Sequence, residues 1–232
     1  MTATLSRRTF AEFIGTGFLV AAVVGSGIMG ERLAAGNVAI ALLANTIATG
    51  AALVSLILAF GAISGAHFNP AVTIVDAIER GVSWQTVACY IPAQLFGGIG
   101  GVVLAHLMFG LPVLSLSHHA RSGGAQVMSE FLATFGLLCV IWGCSWKRTE
   151  MVPFAVGAYI TAAYWFTSST SFANPAVAMA RSLSDTFAGI RPSDMPLFVL
   201  AELAGALAAT LLFRWLAPRQ PKNFPTPTAP HA

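Results

Sequence analysis

Long apolar stretches separated by short polar breaks dominate the pattern along the chain. At a rise of ~1.5 Å per residue, about 20 apolar residues make a helix that crosses the ~30 Å hydrocarbon core of a bilayer. Six stretches near this length cover residues 9–30, 38–60, 84–109, 126–146, 152–166 and 195–216. The fifth is the shortest, so we expect its helix to continue past Phe166. The pattern predicts an all-α membrane protein with six transmembrane helices.

Two shorter apolar stretches follow the second and the fifth long ones, and each begins with the tripeptide Asn-Pro-Ala. The tripeptides are Asn69, Pro70 and Ala71, and Asn174, Pro175 and Ala176. Asn is a favoured N-cap because its side-chain oxygen accepts a free backbone N–H, and Pro suits the first helical position because it lacks an N–H. The apolar residues then continue for only about ten positions, roughly half a bilayer. We therefore predict two half-helices that begin near the middle of the membrane.

The two halves of the chain share landmarks in the same order, which indicates an internal duplication. The pairs are Glu12 and Glu130, 118 residues apart, Asn69 and Asn174, 105 apart, and Gln94 and Glu202, 108 apart. Each half has three spans, an odd number, so the halves lie in opposite orientations as inverted repeats. We predict a single channel domain over 1–217, with repeats at about 8–109 and 125–217. The Pro-rich polar segment 218–232 is predicted to be a disordered tail.

Composition agrees with a membrane protein and excludes several other classes. The chain is 56% hydrophobic and only 9% charged, whereas soluble domains average about a quarter charged. The net charge is +3, and its basic residues are scattered rather than gathered into a patch, so nucleic acid is not an expected partner. The three cysteines lie inside apolar stretches without the spacing of a disulfide framework or metal site. We expect no metal and no cofactor.

The distribution of Lys and Arg predicts the orientation in the membrane. Eight basic residues fall on the side where the first span begins and four on the other side, when positions are assigned from the six spans. Cytoplasmic loops carry an excess of Lys and Arg. We therefore expect a multi-pass protein of the inner (plasma) membrane with both termini in the cytoplasm.

The two half-helix starts predict a pore for small uncharged molecules. Non-helical backbone at membrane depth is tolerated only where it is buried or lines a water-filled path, so residues 64–68 and 168–173 would supply carbonyl acceptors along one wall. Asn69 and Asn174 would supply amide donors at the middle. The positive ends of two helix dipoles would oppose cations there. This order of acceptors and donors suits solutes that carry hydroxyl groups.

These motifs resemble the major intrinsic protein superfamily, the aquaporins and aquaglyceroporins, over about residues 8–217. The resemblance implies a passive channel rather than an enzyme, built as a homotetramer in the lipid bilayer with one pore per subunit. It also implies that Asn69 and Asn174 are the central donors. Glu12 and Glu130 look like the buried carboxylates that brace the two loops, and His67 looks like a residue on the cytoplasmic side of the pore.

The resemblance also locates a selectivity filter, and here the chain departs from the usual pattern. The family usually has Arg directly after the second Asn-Pro-Ala, where this chain has Val177. Counting back 20 residues from the first Asn gives Thr49, and counting back 12 from the second gives Ala162, if the loop has no gap. The position three before the second Asn is Ser171. All four side chains are small, and the fixed cation is missing, so we expect a wide filter.

Arg181 is a candidate for the missing positive charge. It follows Val177 by four residues, which places both on one helix face, and helical side chains lean towards the N-terminus. Our hypothesis is that Arg181 partly restores positive charge near the pore mouth. The alternative is that its side chain extends to the outer surface.

The small filter and the segments SSTSFANPAV and SDTFAGIRPSD resemble aquaglyceroporin-like proteins of bacterial arsenic-resistance operons. We therefore expect conduction of glycerol-like polyols, water and neutral metalloid acids such as arsenite, which is a neutral triol. A water-selective channel is the first alternative. An ion-coupled secondary transporter is the second, because it also uses inverted repeats and because Glu12, Glu130 and Glu202 could hold a coupling ion. Ser64 and His67 lack the partner that a hydrolytic nucleophile needs.

Overall fold

The computed structural model describes residues 3–217, so the predicted tail at 218–232 lies outside the described residues. Within residues 3–217 the chain forms eight α-helices, one 3-10 turn and no β-strand. The helices are α1 (Leu5–Leu33), α2 (Val38–Ser64), α3 (Pro70–Ile78), α4 (Trp84–Phe109), α5 (Gly124–Lys147), α6 (Val152–Phe166), α7 (Pro175–Arg181) and α8 (Met195–Leu216). Six long helices and two half-helices therefore confirm the predicted all-α fold.

Five of the six long helices have the length and composition of membrane spans, and the sixth, α6, is shorter. Helices α1, α2, α4, α5 and α8 are long and apolar enough to cross a membrane. Helix α6 has 15 residues, and the prediction that it continues past Phe166 is wrong. Thr167 takes an extended conformation (φ −107°, ψ 139°), and its hydroxyl donates to the carbonyl of Ala163 at 2.7 Å, which ends the helix. A 3-10 turn, Thr149–Met151, precedes α6 instead.

Corresponding helix pairs pack through corresponding glycines in the two halves. A Cβ atom on Gly97 of α4 would collide with the carbonyl oxygen of Phe13 in α1. A Cβ atom on Gly205 of α8 would collide in the same way with the carbonyl oxygen of Phe131 in α5. In lipid, this close approach of backbones drives helix association. The same contact at equivalent positions is what inverted repeats produce.

The half-helices α3 and α7 lie inside the frame of long helices. Helices α2 and α6, which belong to different halves, pack closely. A Cβ added to Gly157 would lie only 2.7 Å from the carbonyl oxygen of Gly50. Helix α3 contacts α4 and α8, and α7 contacts α1, α4 and α8, so each half-helix bridges both halves. On the outside, large apolar side chains such as Phe18 and Leu211 are exposed, as lipid contact requires. We call the side of the membrane where α1 begins the inner side.

We predict that Gly205→Ala destabilises the protein, because the added methyl would force the α5 and α8 backbones apart. Overpacking of this kind costs about 1–3 kcal/mol. The midpoint of thermal unfolding in detergent should fall by several degrees. Gly143→Ala in α5 is the matched control, since its added Cβ would meet Phe213 at an ordinary 3.5 Å. An equal fall in both variants would contradict the close packing of α5 and α8.

Candidate functional site

Two asparagines at the centre of the molecule cap the two half-helices. The Oδ1 atom of Asn69 accepts the backbone N–H of Ala71 at 2.9 Å. The Oδ1 atom of Asn174 accepts the N–H of Ala176 at 3.0 Å. In both cases Pro occupies the first helical position, where a missing N–H has no cost. Each Asn-Pro step therefore starts a short helix whose first free N–H is bound by the asparagine side chain.

The same two side chains tie the half-helix ends together. The Nδ2 atom of Asn69 donates to the carbonyl of Ala173 at 2.7 Å, and that of Asn174 donates to the carbonyl of Phe68 at 2.8 Å. Each bond crosses from one half of the chain to the loop of the other half. A side-chain amide carries two N–H groups, so each asparagine keeps a second donor beyond the crossed bond.

A buried carboxylate organises the first loop. Glu12 of α1 is 0% exposed, and its Oε1 accepts the N–H of His67 at 3.0 Å and the hydroxyl of Ser64 at 2.6 Å. Its Oε2 accepts the N–H of Phe68 at 2.6 Å and the amide of Gln94 at 2.8 Å. Four donors to one carboxylate fix the path of the chain immediately before Asn69.

A second carboxylate organises the second loop in a related way. Glu130 of α5 accepts the N–H of Phe172 at 2.9 Å and of Ala173 at 2.8 Å. Glu202 of α8 accepts the N–H of Asn174 at 3.0 Å. The repeat pattern of the sequence paired Gln94 with Glu202 but did not predict that either braces a loop. Gln94 supports Glu12, whereas Glu202 binds the loop backbone directly.

These carboxylates hold backbone that is otherwise unfavourable. In the two loops before the half-helices, five residues other than glycine have φ between 48° and 64°, a left-handed region that costs energy for residues with a Cβ. They are Ala66, Phe68, Thr170, Ser171 and Ala173. Glu12 binds the N–H of Phe68, and Glu130 binds the N–H groups of Phe172 and Ala173. The braces therefore keep both loops in shapes that the chain would not adopt alone.

A cavity of about 410 Å³ runs past both asparagines. Its inner end is lined by Asp76, Trp142 and Thr149, and its outer end by Thr49 and Arg181. Leucine, isoleucine and valine side chains of α1, α2, α5 and α6 form a large part of the remaining wall. The cavity therefore combines an apolar surface with a few polar groups at its centre and ends.

Three of the four side chains that the sequence assigned to the filter line this cavity, and one does not. Thr49, Ser171 and Val177 line it. Ala162 is exposed on the outside of α6, so its assignment was wrong. Ile160 and Tyr164 line the cavity instead, and the Tyr164 hydroxyl lies 3.2 Å from the hydroxyl of Thr49. Counting residues across the loop after Phe166 failed because that loop is not helical and has no fixed register.

Arg181 faces the cavity rather than the outer surface. Its side chain is buried, with 1% exposed, and it is part of the cavity lining. The Nε atom donates to the carbonyl of Ala188, and the guanidinium lies 3.3 Å from the centre of the Phe172 ring. The alternative that Arg181 extends to the outer surface is therefore wrong. Its fixed charge lies one turn beyond the position where the family usually has arginine.

His67 lies at the inner part of the cavity, half-buried, next to an acidic side chain that the sequence did not single out. Its Nδ1 is 3.1 Å from the hydroxyl of Thr73, and its Nε2 is 3.6 Å from Oδ2 of Asp76. Both His67 and Asp76 line the cavity. In the part of the chain that the structure describes, no group of three His, Cys, Asp or Glu side chains could hold a metal ion.

Comparisons with known proteins agree with this geometry. The family described as Major intrinsic protein matches residues 1–213. Aquaglyceroporin AqpS of Rhizobium meliloti (strain 1021) is 58% identical over 212 residues, 91% of each chain. Human aquaporin-2 is 30% identical over 91% of this chain and 79% of its own. The X-ray structure of the aquaglyceroporin from Plasmodium falciparum shares the fold, with a TM-score of 0.73 and 18% identity over 90% of this chain and 96% of that one.

The chain belongs to the major intrinsic protein family. It is therefore an integral multi-pass membrane channel for small solutes and not an enzyme.

We predict that Glu130→Gln impairs the channel, because a Gln side chain offers one acceptor oxygen where two loop N–H groups now bind a carboxylate. A buried N–H left unpaired costs about 1–3 kcal/mol. The thermal midpoint and the water permeability per reconstituted subunit should both fall. Glu31→Gln, at an exposed position near the end of α1, is the control. Unchanged permeability in Glu130→Gln would refute the bracing role.

The corrected assignment on α6 makes a separate prediction. Tyr164→Ala removes a ring that lines the cavity and should change the ratio of glycerol to water permeability. Ala162→Val adds volume on the outside of the same helix and should leave that ratio unchanged. Both ratios can be measured by stopped-flow light scattering of proteoliposomes. A change with Ala162→Val alone would restore the sequence-based assignment.

Proposed function

We propose that the protein is a passive channel for small uncharged solutes: glycerol-like polyols, water and neutral metalloid acids such as arsenite. The observation that carries this proposal is the cavity of about 410 Å³ that passes two asparagine amides between apolar walls. Such a path replaces part of the hydration of a hydroxyl-bearing solute and offers no ring of charged side chains for an ion.

The centre of the cavity favours neutral solutes over cations. The N-termini of α3 and α7 both meet there, and each carries about half a positive charge from its helix dipole. The second N–H of Asn69 and of Asn174 can donate to a passing oxygen. A solute that accepts hydrogen bonds is therefore stabilised, whereas a cation meets positive potential.

The outer end of the cavity functions as the filter in this proposal. Val177 replaces the usual arginine with a small apolar side chain, and Thr49, Ser171 and Tyr164 contribute hydroxyl groups. Arg181 adds a guanidinium one turn away. This arrangement combines room at Val177 with several hydrogen-bonding groups, which suits a polyol or a neutral triol such as arsenous acid.

Similarity supports the polyol part of this proposal. The relative that is 58% identical is named an aquaglyceroporin, and so is the Plasmodium protein that shares the fold. Human aquaporin-2 and rice aquaporin NIP1-4, at 30% and 31% identity, are more distant from this chain. Arsenous acid fits the same donors and acceptors because it carries three hydroxyl groups and no charge.

We further propose an inner-membrane location with both termini in the cytoplasm and a homotetramer with one pore per subunit. The orientation is supported by the excess of Lys and Arg on the inner side. The tetramer is supported by the family resemblance. Crosslinking of the protein in native membranes and protease accessibility of a C-terminal tag would test the two points separately.

Two other functions are less well supported. A water-selective channel would fit the close pair of Thr49 and Tyr164 hydroxyls, which narrows the outer end. An ion-coupled transporter would need a free acid in the path. Glu12, Glu130 and Glu202 bind loop N–H groups instead and do not line the cavity. Asp76 does line it, at the inner end, and its Oδ2 lies 3.6 Å from Nε2 of His67.

Solute flux in proteoliposomes tests the proposal. We expect water, glycerol and arsenous acid to cross faster than in empty liposomes, with flux that is linear in concentration and independent of proton or sodium gradients. Saturable flux that needs an ion gradient would contradict a channel. If water crosses but glycerol and arsenous acid do not, the result would contradict the polyol channel and support the water-selective alternative.

We predict that Val177→Arg slows glycerol and arsenite more than water. The added guanidinium would occupy space at the outer end of the cavity, and exclusion by size affects the larger solutes first. Permeabilities measured for the three solutes in the same proteoliposomes check this. Equal slowing of all three would count against Val177 as a filter residue.

A further inference from the structure

Arg121 reaches from an outer loop into the loop that ends at the second Asn-Pro step. It belongs to residues 110–123, between α4 and α5. Its Nε donates to the carbonyl of Gly189 at 2.8 Å, and its Nη1 donates to the carbonyl of Ser169 at 3.1 Å and lies 3.4 Å from the Thr170 hydroxyl. Its own backbone N–H donates to Asp194 at 2.9 Å. A single guanidinium therefore joins two separate segments around α7.

The segment that Arg121 holds is strained. Thr170 and Ser171 have φ of 64° and 51°, which residues with a Cβ rarely adopt. Glu130 binds the N–H groups of Phe172 and Ala173, which lie after these two residues. Arg121 binds the carbonyl of Ser169, which lies before them. The strained pair is thus fixed from both ends, and Ser171 is thereby placed in the cavity wall.

Arg121 and Arg181 contact the same aromatic ring. The guanidinium carbon of Arg181 is 3.3 Å from the centre of the Phe172 ring, and that of Arg121 is 5.1 Å from it. Phe198 packs edge-on against Phe172 at 5.2 Å between ring centres. Gly189, which accepts from Arg121, directly follows Ala188, which accepts from Arg181. The ring and the 188–189 backbone are therefore shared supports of both arginines.

We propose that Arg121 is a positioning residue for the outer filter, and that it acts by holding Phe172 and residues 188–189 so that Arg181 faces the cavity. This inference rests on the proposed polyol channel. Arg121 does not line the cavity, so it touches no solute and acts only through its neighbours. The planar guanidinium is required because it makes its bonds in several directions at once, which a Lys ammonium on a flexible stem does not reproduce.

The test compares permeability ratios in Arg121→Met, Arg121→Lys and Arg181→Met proteoliposomes. Without a positioned Arg181, a polyol loses a charged donor in the filter, and we expect the ratio of glycerol to water permeability to fall about tenfold. This ratio should fall as far in Arg121→Met as in Arg181→Met. In the double variant the ratio should fall no further, since the two residues act in series. Arg121→Lys should resemble Arg121→Met although it keeps the charge.

Arg32→Met is the matched control. Arg32 also lies on the outer side, donates to the carbonyl of Phe109 at 3.1 Å and stacks on that ring at 5.2 Å, but it does not line the cavity. The ratio of glycerol to water permeability in Arg32→Met should equal that of the wild type. A merely structural role for Arg121 would lower water and glycerol flux together and leave the ratio unchanged, which would overturn the inference. The inference would also be overturned if Arg121→Lys kept the wild-type ratio of glycerol to water permeability. It would be overturned as well if the effects of the two single variants on this ratio added up in the double variant.

The same measurements separate this inference from the proposed function. If the wild type conducts no glycerol above empty liposomes, the polyol channel itself is refuted. If the wild type conducts glycerol and the Arg121 variants keep its ratio, only the positioning role fails.

Discussion

The crossed hydrogen bonds between the two asparagine amides and the opposite loops are the interaction on which the rest of this structure depends. Each amide joins the start of one half-helix to the backbone of the other half, at 2.7 and 2.8 Å. A helix that begins inside a membrane leaves free N–H groups and a positive dipole end in an apolar medium, which is unfavourable unless both are used. Here each capping oxygen accepts N–H groups of its own half-helix, and the proposed function uses the combined positive potential as a barrier to cations.

Keeping the two ends together requires rigid support from the long helices. Glu12, Glu130 and Glu202 bind the loop N–H groups from α1, α5 and α8. Those helices approach closely because glycine occupies the contact positions, such as Gly97 and Gly205. The polar braces thus depend on apolar packing. Residues outside the cavity lining therefore hold the loops that form part of its wall.

The sequence predicted the parts of this arrangement that have a local or periodic signal. The half-helices follow from the Asn-Pro steps, the spans from apolar length, and the pairing of Glu12 with Glu130 from the duplication. The assignment of Ala162 failed, and Tyr164 was missed, because the intervening loop has no helical register. Arg121 and Asp76 were missed for a related reason: their positions near the cavity come from tertiary contacts of a loop and of a helix end, which no spacing in the chain encodes.

The central claim is most directly tested by an experimental density map of the protein in a lipid environment, at a resolution that shows the side chains of Asn69 and Asn174. The account predicts that each amide lies within hydrogen-bonding distance of the opposite loop carbonyl, beside a continuous path of ordered solvent or solute through the subunit. Half-helix ends that lie apart at the membrane surface, or an interior plugged by side chains, would contradict it.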